Sequence, residues 1–458
     1  MDVTSTVPVR VEGGGEQVVA HVGLHALGRF ADRLGLAEEL SMAVAAGGDQ
    51  RRHGHDRGKV LTQVMLMLAG GGECCADIEW LRAQPGLFGP VPSDTTVWRT
   101  FDRLDDSTVE FLRRVVGSVR AQVWNRSSAT TGNQPIVLDI DSSLVEIHSE
   151  NKAGAAPSYK GGYGFHPMFC FADGTGEALA GLLRPGNAGA NSIDDHLEVL
   201  DAAIGQLPAA VAAGHRAGDD ISLVGRGVHV RVDSAGCSAR LAGAFRARNV
   251  GFAMVARSNR QIHTAISRAL AEPRRWVPAV TQGLEQKQDA TVAELTDLVE
   301  LAGWPSGTRL IVRREPLHPG AQTTLFPDLD YRYWGHYTDD RVGDPALLDA
   351  DMRAHAHVED HIRRLKASGL ERFPFTDWAT NAGWMAVVCF AADLVRWFQL
   401  LTLDPRWVSA EPKRLRWGLW HTPARIVSRA GRHVVRLLDG WPTADTLLDA
   451  YQRIASLT

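Results

Sequence analysis

Cysteine is scarce in this chain: five in 458 residues, at Cys74, Cys75, Cys170, Cys237 and Cys389, with no CxxC spacing among them. A disulfide framework or a zinc ribbon needs cysteines in close register, so both are excluded and a reduced, cytoplasmic setting is expected. Long uncharged apolar runs are also missing. The best candidate, Gly383 to Leu401, carries Asp393 and Arg396 and reads as a buried helix, not a membrane span. No basic segment followed by an apolar one stands at the start, so no secretion leader is expected. Internal repeats and low-complexity tracts are absent as well. Nor is there an excess of positive charge: 49 Lys and Arg against 53 Asp and Glu give a formal net charge of −4. The chain as a whole is not a uniformly basic polyanion binder.

What is present describes a soluble, globular protein: 45% hydrophobic and 22% charged residues over a length that suggests two or three domains. Charge is unevenly spread. Between Lys413 and Arg436 there are seven Lys or Arg and no Asp or Glu. Such a block can be a solvated helix face. The reading preferred here is a phosphate-contacting surface that includes Arg425, Arg429 and Arg432, because local charge sets the field near a polyanion.

Along the chain, residues 1–20 read as a flexible N-terminus. Residues 21–130 read as helical, with Leu24, Leu27, Phe30, Leu34 and Leu36 near helical spacing and a second apolar stretch from Val60 to Leu68. After Pro92, Ser93 or Asp94 caps a helix that presents Thr95, Trp98 and Arg99 early, the pattern of a DNA-recognition helix and also of many ordinary ones. From 131 to 258 the period changes. Strands are expected at Ile136–Ile140, His166–Phe171, Glu177–Leu183, Val228–Val232 and Gly251–Ala256, and helices at Asn191–Leu207 and Ser238–Asn249. Three strands able to form a meander, then helix, strand, helix, strand, match an α/β fold with an RNase H-like mixed sheet flanked by helices. Residues 259–345 read as an inserted β-rich subdomain, with strands at Val277–Val280, Thr308–Arg313 and Tyr331–Thr338. Residues 346–400 return to the core, and 401–458 read as a basic helical C-terminal region.

Three carboxylates stand out by position. Asp139 and Asp141 share one face of a strand whose other positions are apolar. Asp233 ends the apolar strand that begins at Val228, before a Gly-containing loop. A carboxylate at the edge of a buried strand calls for a partner, which a metal can supply; a helix cap before Ser238 would use Asp233 equally well. From Met352 to Lys366, the residues Met352, His355, Glu359 and Lys366 follow one helical stripe. His355, His357 and His361 crowd the same segment, but the string matches neither HExxH nor HxxEH, and His357 and Glu359 point about 200° apart on a helix. Zinc is the weaker reading.

Together these residues resemble the DDE transposases of bacterial insertion sequences, in the branch with a Tyr-x2-Arg-x3-Glu-x6-Lys signature and a β insertion before the Glu helix. Met352 stands for the Tyr, His355 for the Arg, Glu359 for the Glu and Lys366 for the Lys, so the first two positions depart from the pattern. Further matching stretches are Asp141-Ser142-Ser143, the run from Tyr159 through Lys160 and Tyr163 to Pro167, and Leu183-Arg184-Pro185-Gly186-Asn187. The resemblance implies metal-dependent DNA cleavage and strand transfer. Asp141 would bridge two Mg²⁺ ions (Mn²⁺ substituting), with Asp233 on one and Glu359 on the other, and Asp139 as the alternative to Asp141. Hard cations about 3.5–4 Å apart suit carboxylate oxygens and in-line displacement at phosphorus. It also implies contacts to DNA by His355, Lys366, Lys160, Tyr163 and Arg184, excision through hairpin ends with Trp334 stacking on a flipped base, and a homodimer on paired transposon ends. Trp276 and Trp304 share the insertion, and core packing is the competing role for any of the three. The rival functions are a stand-alone nuclease of the same fold and a catalytically silent or domesticated DNA-binding protein.

Overall fold

The computed structural model describes residues 17–47, 54–127, 135–159, 161–219, 227–317, 330–429 and 432–457. Its centre is a nine-stranded sheet built from β2 (Ile136–Ser142), β6 (Met168–Ala172), β7 (Glu177–Leu182), β8 (Val228–Val232), β9 (Gly251–Val255), β10 (Val277–Val280), β11 (Gln286–Glu294), β12 (Arg309–Pro316) and β13 (Tyr331–Thr338). The spatial order is β10-β11-β12-β13-β9-β8-β2-β6-β7. The strands β2, β8 and β9 run parallel, and β6 pairs antiparallel with both β2 and β7. The residues expected to form an insertion do form strands, but β13 pairs antiparallel with β9, so they extend the central sheet instead of forming a sheet of their own. The small strands β3 (Val145–Glu146), β4 (Ala156–Pro157) and β5 (Tyr163–Phe165) make a separate three-stranded sheet in the order β3-β5-β4, between β2 and β6 in sequence.

Strand alternation splits the side chains between two faces. Leu138, Ile140, Val230, Val232, Phe252 and Met254 point to one face and join a core with the helices Ile193–Gly205, Ala239–Arg246 and Arg260–Leu270. Those helices start where a side chain satisfies an orphan backbone N–H: Ser192 accepts from Asp195, Ser238 from Leu241, and Asn259 from Ile262. On the other face, Phe169, Phe171 and Ala178 join a second core with the N-terminal helices Val22–Arg33, Leu36–Ala46, Arg57–Gly70 and Asp106–Arg126, and with the helices His357–Leu365 and Trp378–Thr402. The N-terminal region is thus helical as expected and shares its core with the helix that carries Glu359.

Trp378–Thr402 is long and apolar enough to cross a bilayer. Here it lies in the protein core, with Trp384 and Trp397 fully buried. Its Asp393 accepts from the Ala178 N–H at 2.7 Å and pairs with the buried Arg120, whose Nε donates at 2.9 Å to Glu177. Glu177 also accepts from the indoles of Trp124 and Trp397, each at 2.6 Å. One arginine therefore faces two buried carboxylates. Burial pushes the Asp393 carboxyl up to about 7 against the pull of Arg120, and Glu177 adds to the rise. All five cysteines are free.

The C-terminal region departs from the helical expectation. The basic run contains a hairpin, β14 (Ala424–Arg429) and β15 (Arg432–Leu437), which β1 (Val18–Val19) extends to a three-stranded sheet. Ile426, Val427, Val434 and Val435 are β-branched, and they favour a strand over a helix.

Candidate active site

The parallel pairing of β2 with β8 matches Asp139 to Arg231 and Ile140 to Val232. The pairing ends there, with Asp141 the next residue on β2 and Asp233 the first residue past β8, near enough for the charge of Asp233 to act on Asp141. The sheet face opposite the three strand-following helices therefore carries two charged rungs, one neutralised and one not.

The lower rung is a buried ion pair. Arg231 is fully buried, and its Nε and Nη2 donate to the two oxygens of Asp139 at 2.8 and 2.7 Å. The same guanidinium reaches Asp173 at 3.0 Å and the Asp351 carbonyl at 2.7 Å. Asp139 also bonds the Nδ1 of His355 at 2.7 Å. Burial works against its ionisation, but the bonds from His355 and Arg231 outweigh that and hold the carboxyl below its ordinary range. Asp139, the alternative first ligand, is thus committed to Arg231 and His355. Residues 352–366 are not one continuous helix either. The helix Pro345–Arg353 passes through a 3-10 turn at Ala354–Ala356 into His357–Leu365, and a π turn at Lys366–Leu370 ends it. The Ala354 N–H bonds the Asp351 carbonyl, and Arg231 donates to that same oxygen, which fixes the tight turn against the sheet. The consequence is a change of role for two residues of the stripe. Met352 is core, and the His355 imidazole is buried against Asp139 instead of facing a phosphate.

The upper rung has no such compensation. Asp141 accepts from the Ser142 N–H at 2.7 Å, and Asp233 from Ala235 and Gly236 at 2.9 and 3.2 Å. Arg257 steadies the loop by donating to the carbonyls of Ser234 and Ala235. Glu359, exposed on His357–Leu365, is close enough for its charge to act on Asp141. Burial, together with the charges of Asp233 and Glu359, pushes the Asp141 carboxyl up to about 6, against the Ser142 N–H and His355. Among the described residues none of the three forms an ion pair, and no three His, Cys, Asp or Glu side chains close on a single point. Asp141, Asp233 and Glu359 are thus within electrostatic reach of one another, and carboxylate oxygens are the hard donors that divalent cations prefer. Of the neighbouring histidines, His357 bonds Asp173 through Nδ1 at 3.0 Å and His355 bonds Asp139 through Nδ1 at 2.7 Å.

Around the pocket, Lys366 Nζ donates at 2.9 Å to the Leu144 carbonyl, just past β2. Tyr163 donates to the Ala155 carbonyl at 3.0 Å, and Lys160 lies outside the described residues. Arg184, expected on DNA, is instead 3% exposed. It bonds the carbonyls of His166 and Gly189 and pairs with Asp195 at 2.8 Å, so it holds the loop after β7. Trp334 is half-buried on β13, on the same sheet face as Asp141 and Asp233, two residues beyond His336, which pairs with Val255. Strand spacings put its backbone roughly 12 Å from that of Asp233. Trp276 donates to the Ala269 carbonyl and Trp304 stacks on Tyr337 at 4.3 Å, so both serve the core. Far from the pocket, Ser93 caps the helix Asp94–Phe101 as expected, leaving Trp98 48% exposed and Arg99 exposed beside it. Arg425 and Arg429 are exposed on β14, opposite Arg436 and Arg432 of β15.

Sequence reasoning missed Arg231, Asp173 and Asp351. The alternation His229-Val230-Arg231-Val232-Asp233 did hold a signal, because it places Arg231 on the same face as Asp233.

The whole chain, residues 1–458, matches the family described as transposase DDE domain group 1. No curated protein matches it. Among solved structures it is similar to a piggyBac transposase, seen by cryo-EM in a synaptic complex with hairpin DNA, at 12% identity and a TM-score of 0.38, over 87% of this chain and 79% of that one. So distant a likeness says nothing of this chain's chemistry. The family match does not depend on it, and it runs the full length: the chain belongs to the transposase DDE domain group 1 family.

Proposed function

We propose that this transposase cuts and joins DNA at the ends of its own element, with Asp141, Asp233 and Glu359 holding two Mg²⁺ ions that Mn²⁺ can replace. The observation that carries the reading is electrostatic: Asp141 near the end of β2 feels the charges of Asp233, one residue past the neighbouring parallel strand, and of Glu359 on its helix, and none of the three is in a described ion pair. The strand order β7-β6-β2-β8-β9, in which β6 alone runs opposite to the rest, supports an RNase H-like core, with β10 to β13 inserted before the Glu helix.

Asp141 would contribute to both ions, Asp233 to one and Glu359 to the other. Bound there, the pair would stabilise the attacking and leaving oxygens of an in-line displacement at phosphorus. The chain's own residues prepare that site. Arg231 and Asp139 fix the strands in register beneath it, the backbone N–H groups of Ser142, Ala235 and Gly236 orient two carboxylates, and the Arg231–Asp351 contact sets the helix that presents Glu359. Lys366, whose side chain reaches the strand end at Leu144, would meet phosphate there, together with Tyr163 of β5 and with Lys160, which lies outside the described residues. Trp334, half-buried on β13 on the same sheet face as Asp141, would stack on a flipped base during hairpin-mediated excision. Trp98 and Arg99 would contact the element's ends, and two copies would pair those ends.

The test uses the full-length protein and a plasmid carrying the element between its terminal inverted repeats. Nicking at the repeat ends with Mg²⁺ or Mn²⁺, abolished by chelator, is the expected result. Binding without nicking under those conditions would leave a silent DNA-binding protein.

A further inference from the structure

The β14–β15 hairpin is a two-stranded ribbon with unlike faces. Ala424, Ile426, Val435 and Leu437 turn inward and pack with Leu87 and Tyr451 in a small apolar cluster separate from the central sheet. The outward face starts from the register: Arg425 stands directly opposite Arg436, Val427 opposite Val434, and Arg429 opposite Arg432. Arg425, Arg429 and Arg436 are exposed, and no described acidic residue pairs with them. Like charges placed directly across two strands repel and destabilise a hairpin. Here that holds for Arg425 and Arg436, in a segment without a single Asp or Glu from Lys413 to Arg436.

We propose that this face is a docking surface for duplex DNA, distinct from the acidic pocket, that grips the phosphate backbone without reading sequence. The proposal rests on the reading of this chain as an enzyme acting on DNA. Charge complementarity selects the occupant. Arg425 and Arg429 are about 13 Å apart along the strand, too far for one small anion to satisfy both, whereas a duplex carries a charge every ~1.7 Å of its axis. A two-stranded ribbon also has the width that a major groove of about 12 Å admits. The Val427–Val434 pair between the arginines offers no hydrogen bond to a base edge, which suits backbone positioning. Transposition needs such a grip, because the acidic pocket itself repels phosphate until cations fill it.

The experiment compares wild type with Arg425→Thr/Arg429→Thr/Arg436→Thr, all full length, on labelled duplexes of two unrelated sequences across a salt series. Each lost phosphate contact lowers the salt slope by about 0.9, so the triple variant is expected to lose about 2.7 from it, equally on both duplexes. Between 50 and 200 mM salt, its fall in affinity then shrinks by roughly 40-fold relative to wild type. Without DNA the variant is expected to melt no lower than wild type, and higher if the removed repulsion dominates. Should the triple variant fail to fold, Arg436→Thr alone is expected to lower the slope by about 0.9. An unchanged slope in a folded variant overturns the proposal. So does a loss confined to one sequence, or equal binding of wild type to anionic phospholipid vesicles. Mg²⁺-dependent nicking of the element's ends is read on the same wild-type protein: absence of nicking with the slope difference kept sinks the catalytic reading alone, and nicking with an unchanged slope sinks this one alone.

Discussion

Arg231 is the cation on which the buried half of the site depends, and replacing it tests that dependence. In Arg231→Met the apolar stem remains and the guanidinium is lost. Asp139, fully buried, then keeps only His355 as a donor, while Asp173 and the Asp351 carbonyl lose contacts at 3.0 and 2.7 Å. Removing one partner of a buried pair leaves an uncompensated charge and costs about 3–5 kcal/mol. Two further carboxylates, Asp141 and Asp233, lie one rung away, so the upper part of that range is expected. Asp139→Asn leaves Arg231 with Asp173 and Asp351 and costs less. In the double variant the two losses are expected to overlap by more than about 1 kcal/mol, since both report one interaction. Urea unfolding of the four proteins at neutral pH gives the cycle. A cost for Arg231→Met below about 1 kcal/mol, or strict additivity, would refute the idea that the pair holds the strands and the Glu helix together.

Three other expectations can be checked with simple variants. Asp393 sits at about 7, well above an unfolded carboxyl, so it takes up a proton on folding. Its contribution to stability is full below about pH 4 and is lost as pH rises through about 7; Asp393→Asn should flatten the urea midpoint across that window. Trp334→Ala is expected to slow hairpin formation roughly ten- to hundredfold, from the loss of about 1–3 kcal/mol of base stacking, and to leave first-strand nicking and the urea midpoint nearly unchanged. A matching loss of nicking would place Trp334 in the fold instead. Millimolar Mg²⁺ should raise the melting temperature of wild type by mass action, with little effect on Asp141→Asn or Asp233→Asn.

Much of this was legible in the sequence, and the failures have physical causes. The strands β2, β8, β9 and β13 announce themselves by apolar alternation, and the carboxylates at their ends follow from the period of two. Strand β11 did not, because Gln286, Lys287, Gln288 and Asp289 occupy its first half, where little is buried. The hairpin at 424–437 was read as helix because the arginine count outweighed four β-branched residues. Arg231 escaped because its partner Asp139 lies 92 residues away, and only the register of two strands brings them together. The same blindness to register made Arg184 look like a phosphate ligand. Its bonds to His166, Gly189 and Asp195 come from the way the chain folds back around the loop after β7. The stripe from Met352 to Lys366 singles out Glu359, whose charge does act on Asp141. It misplaced His355, since a continuous helix cannot anticipate the turn that Arg231 fixes at Asp351.

The central claim is that Glu359 completes a metal-binding acidic pocket, and Glu359→Gln tests it most directly. The residue is exposed, so the substitution keeps shape and fold while it removes one charge. The measurement is Mg²⁺-dependent nicking of the element's ends alongside binding of the same DNA. The account requires binding to be kept or slightly tightened, because less negative charge faces the phosphates, and cleavage to fall by orders of magnitude. Wild-type cleavage rates in Glu359→Gln would contradict it.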